Sequence, residues 1–267
     1  MDRGRNTSAA TIARAHVRVG VMNELQYRAN LVFSLVQSVL GVGTAIVVLT
    51  ILFRQTDDLA GWTRAELLVV MGVFTCVRGV LDAFVQPNMQ RIVTEIREGK
   101  LDYALTKPAD SQVLVSVRDV RFWQLTDVVV GSGVIVVGGT QLDRGVGLGD
   151  LGAFVAVLVA GLVCIYAFWL MLASAAFWLV RVNEVQELFD GLYRAGTYPV
   201  GIYPRAMRIG LTFVVPLAFA ITVPAEAFTG RASTATIGAS FAAAIVLAVV
   251  SRLVWRAGLR RYDGASS

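Results

Sequence analysis

Apolar stretches long enough to cross a bilayer alternate with short polar passages along most of the chain. Leu31–Phe53 is an uncharged run of 23 mostly apolar or small residues. As a helix rising about 1.5 Å per residue it covers about 34 Å, more than a hydrocarbon core of about 30 Å. Comparable runs predict further spans over Glu66–Val85, Leu125–Leu142, Leu151–Val180, Leu211–Phe228 and Ala235–Trp255. The third is led in by a helical stretch from Ser111 that carries Arg118 and Arg121. The fourth is longer than a bilayer needs and should tilt or protrude. The fifth, Leu211–Phe228, is short and interrupted by Pro216 and Pro224. It is read as a span that breaks near Pro224 into a re-entrant turn with Glu226, because non-helical backbone at depth needs protein or a wet cavity around it. A proline-kinked ordinary span is the simpler alternative. Ahead of the first span, Ile12–Arg28 has Ile12, Ala15, Val19 and Met22 on one face and Arg14, Arg18 and Arg28 opposite, as in a helix lying on a membrane surface.

The longest polar passage between two apolar runs is Gln86–Pro108, which holds both lysines, Lys100 and Lys107. Met89, Ile92 and Ile96 recur at helical spacing, so Asn88–Glu98 reads as a short amphipathic helix. Arg91 and Glu95, four apart, can pair on another face. Gly99 is placed to end the helix in a left-handed conformation, Asp102 to cap the next turn or accept a bond from a partner, and Pro108 to stop that turn. Asp110 or Ser111 can cap the helix after it. The passage is therefore a compact helical elbow rather than a tether.

Composition narrows the class. Of the 267 residues 56% are hydrophobic and 16% charged, and mean hydropathy is +0.65, against about 25% charged in a soluble domain. The expectation is one all-α integral membrane domain over residues 1–267, with six spans, the surface helix, the elbow and the re-entrant turn. The net charge of +5 is distributed as membrane orientation demands, not as a nucleic-acid surface. With both termini, the elbow and Arg181–Arg208 on one side, 19 Lys and Arg fall there and 4 on the other. That bias predicts cytoplasmic N- and C-termini. No cleavable leader is expected, since Met1–Asn30 lacks a short apolar core before a small-residue site. Cys76 and Cys164 lie in apolar runs and read as buried thiols.

Candidate chemistry is sparse. A single histidine, His16, excludes His-rich metal sites. Gly99-Lys100 lacks both the upstream glycine and the following Ser or Thr of a phosphate-binding loop. Asp57-Asp58 reads as solvated charge beside a span. Arg78 and Asp82, four apart in the second span, either face the bundle interior near a pathway or place Arg78 where it snorkels to headgroups.

Three stretches resemble the permease subunits of type-2 ABC exporters, in a six-span bacterial branch linked to drug or viologen-like efflux. The first is Gly99-Lys-Leu101-Asp102-Tyr-Ala-Leu105-Thr-Lys107-Pro108. The second is Tyr198-Pro199 with Ile202-Tyr203-Pro204, Arg208, Pro216-Leu-Ala218-Phe219 and Pro224-Ala225. The third is Gly258-Leu259-Arg260-Arg261-Tyr262. The resemblance implies a bacterial cell-membrane permease, not itself an enzyme, that works with two cytoplasmic ATPase subunits and a second permease, the same or a related chain. ATP and Mg would be bound by the ATPase, and this chain would hold no cofactor. It also implies that Gln86–Pro108 docks on the ATPase, through Met89, Ile92, Ile96, Gly99, Leu101, Asp102 and Leu105, and that Ile12–Arg28 touches it. Two other classes remain to be separated from this one. A secondary transporter would show an internal repeat and buried titratable groups, and a non-transporting scaffold would not need the elbow.

Overall fold

The computed structural model describes residues 28–56, 58–107, 110–179 and 193–262. The surface helix expected over Ile12–Arg28 falls outside them except for Arg28, and Pro108 lies outside them too. Most of the described residues are helical, and none of them forms a strand beyond one isolated β-bridge between Leu59 and Trp62 in a loop.

Among the described residues five helices are long and apolar enough to span a membrane: α1 Arg28–Leu52, α2 Arg64–Arg97, α5 Leu125–Thr140, α6 Leu148–Ser174 and α9 Thr234–Leu259. Shorter pieces are α3 Asp102–Leu105, α4 Ser111–Ser116, α7 Arg205–Ile209 and α8 Ala218–Thr229. Single 3-10 turns lead into α5 (Phe122–Gln124) and extend α6 (Ala175–Phe177).

The tightest pairing is α2 with α5, and glycines make it possible. A Cβ on Gly72 would lie 2.8 Å from the Gly131 carbonyl oxygen, and one on Gly131 2.7 Å from the Cys76 nitrogen. Such backbone approach is how apolar helices associate where burial from water gives no drive. Gly131 and the buried Ala160 sit in close contacts, whereas Gly133 has open space over its Cα. α6 packs along α9 and α8. By contrast α1 leaves most of its apolar surface exposed, for example Phe33 and Leu40.

Among the described residues three wide π turns each sit two residues before a proline: Leu81–Val85 before Pro87, Gly210–Val214 before Pro216, and Ala218–Thr222 before Pro224. Proline inside a helix removes an N–H and presses on the carbonyl four residues back. A π turn widens the helix at that point and frees carbonyls from the regular ladder. At Pro87 the freed carbonyls are used: Ala83 accepts from the Arg121 N–H (2.9 Å), and Phe84 from the Asn88 side-chain amide (2.6 Å).

This geometry changes three sequence expectations. The elbow helix is not separate, because α2 runs from Arg64 to Arg97 through the π turn and Pro87. The fifth apolar run breaks at Val215–Pro216, where Val215 is extended, and not at Pro224. Pro224 sits in the first turn after a π turn, inside α8, so the helix carries on past it to Thr229. Glu226 lies in the same first turn, and the αL residue Gly230 (φ 70°) ends the helix. The run is therefore folded in pieces and supplies only the short apolar helix Ala218–Thr229, with the 3-10 turns Arg194–Thr197 and Val200–Ile202 packed beside it: the Val200 N–H donates to the Thr222 hydroxyl (3.3 Å). The stretch from Ser111 also differs. It ends at Ser116, and residues 117–121 form a non-helical break before α5.

At one end of the bundle Arg231 closes the fold. Its guanidinium bonds the Gly61 carbonyl (2.7 Å) and Glu66 (2.9 Å) and lies 4.6 Å over the Trp62 ring. Glu66 is also the N3 partner of Thr63 in the capping box of α2. The elbow lies at the opposite end.

Candidate functional site

The elbow is built on the last three turns of α2. Met89 and Ile92 are 0% and 1% exposed, and Ile96 is 9% exposed. They pack inward because this part of α2 lies against α6 and α4. So these three side chains do not form an outward docking face: periodicity marked a buried face, and the chain itself buries it. Leu101 is also fully buried, while Leu105 is exposed. The outward face of the elbow helix is Gln90, Arg91, Thr94 and Arg97, continued by Glu98 and Lys100. An ion pair to Glu98 (2.7 Å) raises the Lys100 ammonium above the usual lysine range.

Asn88 is the hinge pin of this region and is fully buried. Its amide nitrogen donates to the carbonyls of Phe84 (2.6 Å) and Asp119 (2.7 Å), and its oxygen accepts the N–H groups of Arg118 and Asp119 (both 3.0 Å). All four hydrogen-bonding positions of one side chain are thereby filled. They fasten the 117–121 break to α2. Around it lies a charge network. Glu95 accepts both Arg91 (2.8 Å) and the buried Arg118 (2.9 Å), and Arg91 reaches on to Asp119 (3.1 Å). The Arg91–Glu95 pair is legible in the sequence, whereas Asn88, Arg118 and Asp119 come from segments that spacing alone does not connect.

Past α2, Gly99 takes the left-handed conformation (φ 66°) that the sequence suggests. Asp102 sits in the first turn of α3 and makes no side-chain cap. Asp110 does cap α4, accepting from the N–H groups of Gln112 and Val113.

The elbow is also strapped to α9. The Tyr262 hydroxyl oxygen accepts the Leu101 N–H at 3.1 Å, one residue beyond the Gly99–Lys100 turn. Burial pushes the Tyr262 phenol up, partly offset by the backbone N–H groups of Leu101 and Asp102. Arg252 pairs with Asp110 and bonds Gln112 (2.8 Å). The guanidinium beside Asp110 holds that carboxyl below the usual carboxylate range. The fully buried Trp255 donates to the Ser111 hydroxyl (3.2 Å), and Phe177, which packs on Gly258, meets Trp255 and Tyr262 edge to face. The weak tail motif Gly258–Tyr262 was the only sequence signal for this strap.

The second candidate site is the Arg78–Asp82 pair. The two side chains meet at 3.4 Å, with half of the Arg78 side chain exposed. They face a cleft between α1, α2 and α5 that also takes in Gln124 and Asp127. Pro216, Pro224 and Glu226 are not brought to either site: they belong to the broken fifth run and α8. Among the described residues no group of three or more His, Cys, Asp or Glu side chains could hold a metal ion.

Neither the curated proteins nor the solved structures contain a significant match to the chain. A family match does exist: the family described as ABC-2 family transporter protein covers residues 39–266. That stretch takes in α2, the elbow, the broken fifth run and α9 with its strap. A multi-pass helical membrane protein with this organisation has the role of a permease, and the chain belongs to the ABC-2 transporter family.

Proposed function

We propose that the chain is the permease subunit of an ATP-driven exporter that moves a hydrophobic or amphipathic molecule out of the cell. The observation that carries this reading is the elbow, fixed to the bundle by its apolar face and presenting a polar face outward. The elbow end is cytoplasmic, in keeping with the bias of Lys and Arg toward the elbow and the termini. There the outward face, Gln90, Thr94, Arg97 and Glu98 with Leu105, meets a separate ATPase that binds ATP and Mg. Two ATPases and two permeases make the working unit, set in the bacterial cell membrane.

Transmission follows from stiffness. A short elbow helix alone would be marginal in water. As the end of a 34-residue helix, it moves only if α2 moves. The Asn88 pin carries the same displacement into the lead to α5, and the Tyr262 and Arg252 contacts carry it into α9. Closure of the ATPase pair would thus tilt three spans together.

The test is co-purification. The chain, extracted in mild detergent, should retain an ATPase subunit whose hydrolysis rate changes when amphipathic compounds are added. A chain that elutes alone and supports no nucleotide hydrolysis would contradict the reading.

A further inference from the structure

α9 turns two opposite faces to its surroundings. Ser251, Trp255 and Gly258 are buried and mark the inner face, toward α6 and Phe177. At 3.6 residues per turn the opposite face is Ile245, Val249, Leu253, Arg256 and Arg260. The first three are 66%, 54% and 58% exposed, and both arginines are exposed. An apolar row open to lipid therefore runs straight into two cations about one turn apart. Their depth fits a headgroup region. From Thr234, where α9 starts, Arg256 lies about 33 Å along the helix at about 1.5 Å per residue. That is just past a hydrocarbon core of about 30 Å.

Several cations at this end are matched inside the chain: Arg91 and Arg118 by Glu95, Lys100 by Glu98, and Arg252, a turn before Arg256, by Asp110. Arg256 and Arg260 are different. Among the described residues their side chains make no hydrogen bond or ion pair, and α9 itself holds no acidic residue. The planar guanidinium fork matches a phosphate, and basic clusters beside a span attract anionic headgroups. The apolar row leading into the pair selects a lipid over a soluble anion, and it places the pair on the bilayer side of α9 rather than on the outward face of the elbow. We infer that this face of α9 holds an anionic phospholipid of the leaflet at the elbow end, its phosphate at Arg256 and Arg260 and an acyl chain along Val249 and Leu253. The inference goes beyond the permease reading and does not depend on it, because lipid binding requires no ATPase.

The experiment titrates the purified full chain in mild detergent with phosphatidylglycerol or with phosphatidylcholine of the same acyl chains, and native mass spectrometry counts the lipids retained. The wild type should keep phosphatidylglycerol in preference to phosphatidylcholine. Arg256→Gln and Arg260→Gln should each lower that preference about fivefold, and the two together by about tenfold or more. Arg205→Gln is the control for total charge. Arg205 is exposed on α7, and its loss removes the same charge from another surface, so the preference should stay at the wild-type level. All these variants should unfold at the wild-type midpoint in phosphatidylcholine, since none loses a side-chain hydrogen bond or ion pair within the described residues. Inorganic phosphate at the concentration of the lipid should not displace it. The inference is overturned if the two lipids are retained equally, or if the paired variant keeps the wild-type preference. It is also overturned if Arg205→Gln lowers the preference as much as the pair does, or if inorganic phosphate releases the lipid.

Discussion

Asn88 and Asp119 hold each other through two hydrogen bonds. The Asn88 amide donates to the Asp119 carbonyl at 2.7 Å and accepts the Asp119 N–H at 3.0 Å. A buried side chain thus does what a neighbouring strand does elsewhere and satisfies a stretch of backbone that has left its helix. Asn88→Leu would leave the Asp119 N–H and carbonyl and the Arg118 N–H without partners. Each orphaned group costs about 1–3 kcal/mol. Thermal unfolding of the purified chain should fall sharply for Asn88→Leu. Asn88→Asp should be destabilised too, because a carboxylate cannot donate to the two carbonyls. An unchanged midpoint in both would remove the pin from the account.

The glycine contact between α2 and α5 gives a paired test. A side chain at Gly131 meets the Cys76 backbone at 2.7 Å, while one at Gly133 meets nothing within 4 Å. Gly131→Val should separate the helices and lower stability by about 1–3 kcal/mol, as overpacking does. Gly133→Ala should be neutral or slightly stabilising, because alanine is the better helix former. Unfolding midpoints of the two variants, measured in one detergent, decide the matter.

The strap from α9 should matter for coupling more than for folding. Tyr262→Phe keeps the ring against Phe177 and removes only the acceptor for the Leu101 N–H. Its stability cost should be about 1 kcal/mol. ATP turnover coupled to transport in reconstituted vesicles should nevertheless drop severalfold, with ATPase association retained. Full coupling in Tyr262→Phe would show that the strap does not transmit.

The Asp110–Arg252 pair carries a pH signature with a fixed sign. The folded-state pKa of Asp110 is depressed by Arg252. The pair's contribution is therefore complete above the unfolded carboxylate pKa of about 3.9. It is lost as pH falls through the lower, folded value. Between neutral pH and about 4, Asp110→Asn should show a constant stability deficit against wild type, and the two should converge only in stronger acid. Because the pair is partly exposed, the deficit should be small and should shrink in high salt. A deficit that vanished already near neutral pH would contradict the assignment.

Much of this architecture is written in the sequence, and the exceptions have physical reasons. Long apolar runs predict α1, α6 and α9 directly. Spacing also revealed the buried face at Met89, Ile92 and Ile96, but a helical period tells which face is covered and not by what. The cover is α6 and α4 of the same chain, so the face available to a partner is the opposite one. Pro216 and Pro224 look alike in sequence. Only the π turns decide that one ends a helix and the other is absorbed. Asn88 and Asp119 are ordinary polar residues in a polar passage, and their pairing depends on a chain reversal that no local pattern encodes.

The central claim is that the elbow's outward face, and not its apolar face, engages an ATPase. Single cysteines at Thr94 and at Ile92, in a chain with Cys76 and Cys164 replaced by alanine, test it most directly. Thr94 is exposed and Ile92 is 1% exposed. In membranes that contain the assembled transporter, a short bifunctional maleimide should crosslink position 94 to a subunit that hydrolyses ATP, with a yield that changes when ATP is added. Position 92 should stay unmodified until the chain is unfolded. Crosslinking from position 92 in the folded protein, or none from position 94 while an ATPase is bound, would contradict it.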